Sequence, residues 1–203
     1  MSAPFYIVFA GVNGAGKTTY FHSGLWKTAD MPSRMTRVNP DEIARTLKGD
    51  HSKAREEFEA GRIARQRIEQ CFDRHRSFNQ ETTLSGHTAL KNLARAHDLG
   101  YRIFMYYIGV DGAQTAAQRV AHRVALGGHD IDEQVIARRY QTSLSNLARA
   151  LDYCEQVTVF DNTIDFTCLA LWSHGTLAWW GGNTSANNWL VNAMIDDEIW
   201  QRS

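Results

Sequence analysis

Proline is scarce in this chain, with three residues in 203. A sequence this poor in proline, with no Gly/Ser tract, internal repeat or low-complexity stretch, offers no linker at which to divide, and predicts one continuous domain over 1–203. Cysteine is equally sparse. Cys71, Cys154 and Cys168 are odd in number and widely spaced, which excludes a disulfide framework or a zinc cluster and fits free thiols in a reducing cytoplasm. No apolar run approaches the ~20 residues of a membrane span, and the N-terminus lacks the basic stretch of a signal peptide. The expectation is a cytoplasmic protein without a membrane partner. An excess of charge is missing too: 22 Lys and Arg balance 22 Asp and Glu. That balance removes the electrostatic case for nucleic acid as a partner, so any anion-binding charge must be local.

What is present is sharper. Gly11-Val12-Asn13-Gly14-Ala15-Gly16-Lys17-Thr18 matches the phosphate-loop pattern G-x-x-x-x-G-K-[ST] at every fixed position. The preceding Phe5-Tyr6-Ile7-Val8-Phe9 reads as a buried strand, and the polar residues from Thr18 can open a helix. In that setting the glycines let backbone N–H groups of the loop, Gly11 and Asn13 through Thr19, turn inward around a triphosphate at a helix N-terminus. Lys17 would reach the β- and γ-phosphates of ATP, and the Thr18 hydroxyl would ligate Mg²⁺.

The remainder alternates strands and helices. Strand patterns fall at 5–10, 35–38, 77–84, 102–110 and 157–160, with helices at 18–26 and 52–76 and a short amphipathic one through Leu90 and His97. The periodicity of the 52–76 segment places Phe58, Ile63, Ile68 and Phe72 near one face; that of the next helix places Leu90, Leu93, Ala94 and His97 together. Asn39-Pro40-Asp41-Glu42 has the form of a helix start, with Asn39 as N-cap and Pro40 in the first helical position. Two helices, about 112–126 and 132–152, flank Gly127-Gly128-His129. Phe166–Trp172 and Leu177–Trp180, joined across Ser173–Thr176, read as a β-hairpin. This order implies an α/β fold with a mainly parallel sheet, helices on both faces, and ligands at the carboxyl ends of the strands.

Phosphoryl transfer needs a phosphate cradle, a metal, a group to orient or deprotonate the acceptor, and cations for the transition state. Asp41 and Glu81, each just after a strand, are the candidates for the acceptor group; both also suit plain helix-start or strand-end positions. On the helix at 112–126, Ala113, Ala117, Val120 and Val124 form the apolar stripe with Arg123 at its margin, while Arg119 reads as surface. On the helix at 132–152 the stripe is Ile136, Tyr140, Leu144, Leu147 and Leu151, with Arg139 marginal and Arg138 pointing further out. Two arginine-edged helices joined by a glycine pair suit a mobile lid over 112–152, and His129 in their connection is a further substrate-contacting candidate. Trp172, Trp179, Trp180 and Trp189 read as packing rather than a base-stacking platform.

Taken in order, these segments resemble the zeta toxins of toxin–antitoxin systems, in particular their short bacterial relatives. The resemblance rests on Gly11–Thr19, Asn39–Ala44, Phe78–Gly86, Arg123–His129, Ile136–Tyr140, Leu144–Leu147 and Phe160–Thr163. It implies a P-loop kinase fold and ATP- and Mg²⁺-dependent phosphorylation of a sugar hydroxyl on UDP-N-acetylglucosamine or a related UDP-sugar. It implies Asp41 as the acceptor-activating base, Glu81 with Thr82 and Thr83 shaping the acceptor site, and Arg123 with Arg138 or Arg139 clamping the transferring phosphate. A cognate antitoxin as protein partner is implied as well. The chain departs from the short relatives at Asp132, where they often carry proline. The residues alone leave open a kinase for another metabolite (a nucleotide, dinucleotide or antibiotic) or a binding module switched by nucleotide.

Overall fold

The computed structural model describes residues 3–47, 53–128, 130–182 and 188–195; the predicted site residue His129 lies outside them. Seven strands form one sheet in the order β2-β3-β1-β4-β5-β6-β7. β1 (Phe5–Ala10), β2 (Thr36–Val38), β3 (Phe78–Thr82), β4 (Arg102–Gly109) and β5 (Gln156–Asp161) run parallel. β6 (Thr167–Ser173) and β7 (Thr176–Trp180) continue the sheet antiparallel. Every residue of β1 is buried, as a strand between two parallel neighbours and two helical layers must be. The two-residue turn of the hairpin holds His174 at φ 47° and Gly175 at φ 76°, the doubly left-handed geometry whose twist suits adjacent antiparallel strands.

Topology places helices on both faces. The chain leaves β1 toward β2 on one side, and its later crossovers step back the other way, so right-handed connections send them to opposite faces. On one face Phe9 packs against Tyr20 and Phe21 of α1 (Lys17–Ser23) and against Trp26. On the other, Tyr6 meets Phe72 of α3 (Lys53–Asp73), and Tyr107 bonds Ser143 of α6 (Glu133–Ala150). α4 (His87–Asp98) packs on β4 and α6.

Several element readings shift on contact with the fold. α1 ends at Ser23 rather than near Trp26, because Gly24 at φ 72° caps it. On α3 the buried line is Ala60, Ala64, Ile68, Cys71 and Phe72, while Phe58, expected on the packed face, is 76% exposed. Phe58 is two residues before Ala60 and so about 200° around the helix from it. His97 is likewise exposed and Ala96 takes the buried position on α4. The α6 stripe of Ile136, Tyr140, Leu144 and Leu147 is buried as expected, and Leu151 continues it into a single 3-10 turn, Leu151–Tyr153. Among the described residues no helix is long and apolar enough to cross a membrane.

Candidate active site

The phosphate loop follows β1 at the carboxyl edge of the sheet, where strand order reverses between β3 and β4. Its glycines have separate causes. Gly11 (φ 133°) lies so close to the Ile108 carbonyl of β4 that any side chain there would strike backbone, and Gly14 (φ 82°) would bring a Cβ 2.5 Å from the carbonyl of Ala116. Gly16 (φ 101°) is the N-cap of α1 and offers no side chain to its first-turn N–H groups, which leaves those donors for an anion.

Lys17 is 8% exposed and folds back to donate to the Val12 carbonyl at 3.0 Å. Burial pushes its ammonium below the ordinary lysine range, and Arg123 and Arg139 add to that, against the opposing pull of Glu81 and Asp41. These four groups come from four separate elements.

Glu81, at the end of β3, is 8% exposed and accepts three side-chain hydrogen bonds. Its Oε1 accepts the Thr18 hydroxyl at 2.7 Å; its Oε2 accepts Arg37 Nη2 at 2.7 Å and Asn39 Nδ2 at 2.8 Å. Arg37 also pairs with Glu42 and Asn79, and its guanidinium lies 3.6 Å from the centre of the Phe21 ring. The register Arg37↔Asn79 between β2 and β3 sets this up: residues two apart on β3, Asn79 and Glu81, share a face with Arg37. Glu81 therefore stands behind the Thr18 hydroxyl, not in the acceptor cleft where it was expected. Thr18 and Glu81 present only oxygen ligands, the hard set that Mg²⁺ takes with phosphate oxygens and water, so the residues present fit that ion.

Asn39 caps α2 (Pro40–Thr46) as predicted, its Oδ1 accepting from the Asp41 and Glu42 amides at 2.9 and 3.4 Å. The cap turns Asp41 into a cleft of about 870 Å³. Asn13, Arg123 and Arg139 also line it, with Arg45, Glu56 and Glu57 on the outer side. Arg139 donates to Asn13 Oδ1 at 2.9 Å, which ties α6 to the loop across 126 residues. Arg138 is exposed and absent from the cleft lining, so of the adjacent pair only Arg139 turns toward the phosphate loop. The glycine pair after α5 (Ala113–Ala125) is a capping motif: Gly127 (φ 84°) donates to Val124 and Gly128 to the Arg123 carbonyl at 2.9 Å. A Cβ at Gly128 would sit 2.6 Å from Arg123 Cγ, so the missing side chain makes room for that arginine. Asp132, the position at which the chain departs from the resemblance, is the N-cap of α6 and accepts from the Gln134 and Val135 amides.

Thr82 and Thr83 are not brought to the cleft. Thr82 Oγ1 accepts the Leu84 amide at 3.1 Å in a tight turn, and Thr83 bonds Ser85. Arg119, read as surface, is half-buried and donates to the Thr163 carbonyl at 2.9 Å beside Gly14. Arg37, within the predicted strand at 35–38, and Asn162, within the Phe160–Thr163 segment, were assigned no role from the sequence and belong to the site; Asn162 Nδ2 donates to the Ala15 carbonyl at 2.8 Å. The faint signal for Asn162 is an Asp-Asn-Thr sequence directly after a strand, a common turn-former. A shallower recess, lined by Pro32, Arg34, Met35, Thr36, Arg76 and Ser77, opens at the amino ends of β2 and β3, away from this chemistry.

Comparison with known proteins gives this geometry a context. The fold matches that of AvrRxo1-ORF1:-ORF2 with ATP at TM-score 0.63 and 17% identity; 97% of this chain is covered, and it spans 63% of the chain it matches there. It also matches a structure of the PezAT chromosomal toxin–antitoxin system of Streptococcus pneumoniae (TM-score 0.60, 14% identity, 99% of this chain and 84% of that one). The likeness to a toxin–antitoxin structure thus holds for the fold. An uncharacterized protein of Haemophilus influenzae is 27% identical over 134 residues, 66% of this chain and 91% of its own length. Residues 7–150, from the first strand through the hairpin of α5 and α6, match the model of the AAA domain family, and the chain belongs to that family.

Proposed function

We propose that this protein is an ATP-dependent phosphotransferase that moves the γ-phosphoryl group onto an alcohol, with one kinase domain over 1–203 and the helices at 112–152 as its lid. The observation that carries the reading is the cleft itself. Asp41, Arg123, Arg139 and Asn13 of the phosphate loop line one cavity, and the same two arginines and Asp41 act electrostatically on Lys17. A nucleotide switch has no need of a carboxylate that lines one cleft with the phosphate loop and two arginines.

The roles follow from position. The loop amides and Lys17 hold the β- and γ-phosphates. Thr18, its proton given to Glu81, turns oxygen lone pairs outward; with Glu81 it would hold Mg²⁺, which when bound supplies charge neutralisation on the phosphates. Asp41 takes the proton of the acceptor hydroxyl as that oxygen forms its bond to the γ-phosphorus. The bond from the γ-phosphorus to the β,γ-bridging oxygen breaks, and ADP departs with the electron pair. Arg123 and Arg139 stabilise the charge on the transferring group, an effect of about 10³–10⁵ for such arginines. His129, in the connection between the two helices, is kept as a contact to the acceptor.

The resemblance to zeta toxins, together with a toxin–antitoxin system among the fold neighbours, supports a UDP-sugar such as UDP-N-acetylglucosamine as acceptor, action in the cytoplasm, and an antitoxin as partner. The test is incubation with Mg²⁺ and ATP and a panel of UDP-sugars, nucleotides, dinucleotides and aminoglycosides, read by mass spectrometry for a gained phosphoryl group. A phosphorylated UDP-sugar is expected. A product from another class would move the acceptor assignment, and tight ATP binding with no product from any class would overturn the kinase reading.

A further inference from the structure

The last described helix, α7 (Asn188–Ile195), lies outside the residues matched to the family, yet it packs on the carboxyl ends of β4 and β5. Leu190 and Met194 are fully buried, and Trp189 is 6% exposed. Its indole lies against the Gly109 backbone at the end of β4, where any Cβ would collide with the ring, and beside Tyr107 at 6.3 Å between centroids. At the tip of this packed ring the Nε1 proton goes to Asp161 Oδ2 at 2.7 Å.

Asp161 is buried and accepts three bonds: that indole, the Thr163 amide at 2.9 Å and the Thr163 hydroxyl at 2.8 Å. It thereby shapes the turn Asp161-Asn162-Thr163 between β5 and β6. Further hydrogen bonds of the turn run to the end of β4, the phosphate loop and the start of α5. The Asn162 amide donates to the Gly109 carbonyl, and its side chain donates to the Ala15 carbonyl of the phosphate loop, packed against Gly16. Thr163 Oγ1 accepts the Asp111 amide, and the Thr163 carbonyl accepts Arg119.

We infer that Trp189 is a positioning residue for nucleotide binding: through Asp161 it fixes the Asn162–Thr163 turn, and that turn holds the Ala15–Gly16 segment in its phosphate-receiving form. The α7 helix is then a strut of the ATP site supplied from outside the family core. The inference rests on the reading of the loop as an ATP site. It separates from that reading, because loss of the indole N–H acts on nucleotide affinity alone and leaves the acceptor side of the cleft unaltered.

The test is Trp189→Phe, which keeps an aromatic ring against Gly109 and removes the N–H. Affinity for ATP with Mg²⁺ is measured by calorimetry on the full chain, well below the melting temperature. The expected result is a dissociation constant raised roughly three- to tenfold, the scale of coupling between directly bonded neighbours, together with faster amide exchange at Ala15 and Gly16. An unchanged dissociation constant with only a lower melting temperature would make Trp189 a packing residue and overturn the inference. If the wild-type protein itself does not bind ATP, or Lys17→Ala binds as wild type, the nucleotide reading fails instead. Should Trp189→Phe not fold, Thr163→Val, at a half-exposed position, removes the hydroxyl joining Asp161 to Asp111 and carries the same expectation.

Discussion

Replacing Glu81 by glutamine probes the site at its most connected atom. Glutamine can turn its oxygen toward Arg37 and Asn39 and its amide toward Thr18, whose hydroxyl must then accept rather than donate. All three bonds survive in number, but the charge assistance is lost. Charge-assisted bonds contribute about 1.5–3 kcal/mol and neutral ones about 0.5–1.5, so the expected destabilisation is about 2 kcal/mol. In a chain of this size that is a fall in Tm of roughly 4–8 °C. Glu81→Ala removes one acceptor of Arg37, a side chain 16% exposed that keeps Glu42 and Asn79, and is expected to cost about 3 kcal/mol, the low end for a broken buried pair. Function separates from stability here, because in the glutamine variant Thr18 spends a lone pair on the new amide. ATP affinity measured with Mg²⁺ should therefore fall more than affinity measured without it. Thermal melts and calorimetry on both variants check this. If Glu81→Gln melts within 1 °C of wild type and keeps the wild-type affinity for ATP both with and without Mg²⁺, Glu81 does not organise the site.

Gly11→Ala should be destabilised by at least ~3 kcal/mol, since its methyl meets the Ile108 carbonyl at a positive φ; a normal melt would refute the backbone argument. Gly24→Ala, at φ 72° with open space around it, should cost only about 1 kcal/mol by the same measurement. Burial pushes the phenols of Tyr101 and Tyr106 up to about 12 from the ordinary 10.0. The unfolded chain thus loses these protons first, and stability that is full below pH 10 should drop between pH 10 and 12. Tyr106→Phe should flatten that alkaline limb in a pH series of denaturant melts. Replacing Arg139, which bonds Asn13, by alanine should lower turnover by orders of magnitude, whereas Arg138→Ala should change it less than twofold in the same ATP-consumption assay.

Features that depend on neighbours in sequence are legible in the sequence itself. The phosphate loop, the Asn39 cap and the α6 stripe each lie within one element, and their physics is local. What stayed hidden depends on which strands adjoin. Glu81 reads as an acceptor-side carboxylate until β3 is placed between β2 and β1, where it meets Thr18 from 63 residues away. Arg37 gives little signal because, apart from Glu42, its partners belong to β3 and α1. Arg119 looked solvated on its helix since the carbonyl it bonds, Thr163, lies 44 residues on. Phe58 was assigned to the packed face by a broad apolar pattern, and the true line through Ala60 and Ala64 is made of residues too small to dominate one.

The central claim is that this cleft transfers phosphate with Asp41 as base, and the direct test is to separate binding from chemistry in Asp41→Asn. Asp41 lines the cleft but bonds nothing in the phosphate loop among the described residues. The account predicts an ATP dissociation constant within about twofold of wild type and phosphoryl transfer to the acceptor lowered by roughly 10²–10⁴. Transfer at the wild-type rate in Asp41→Asn would contradict it.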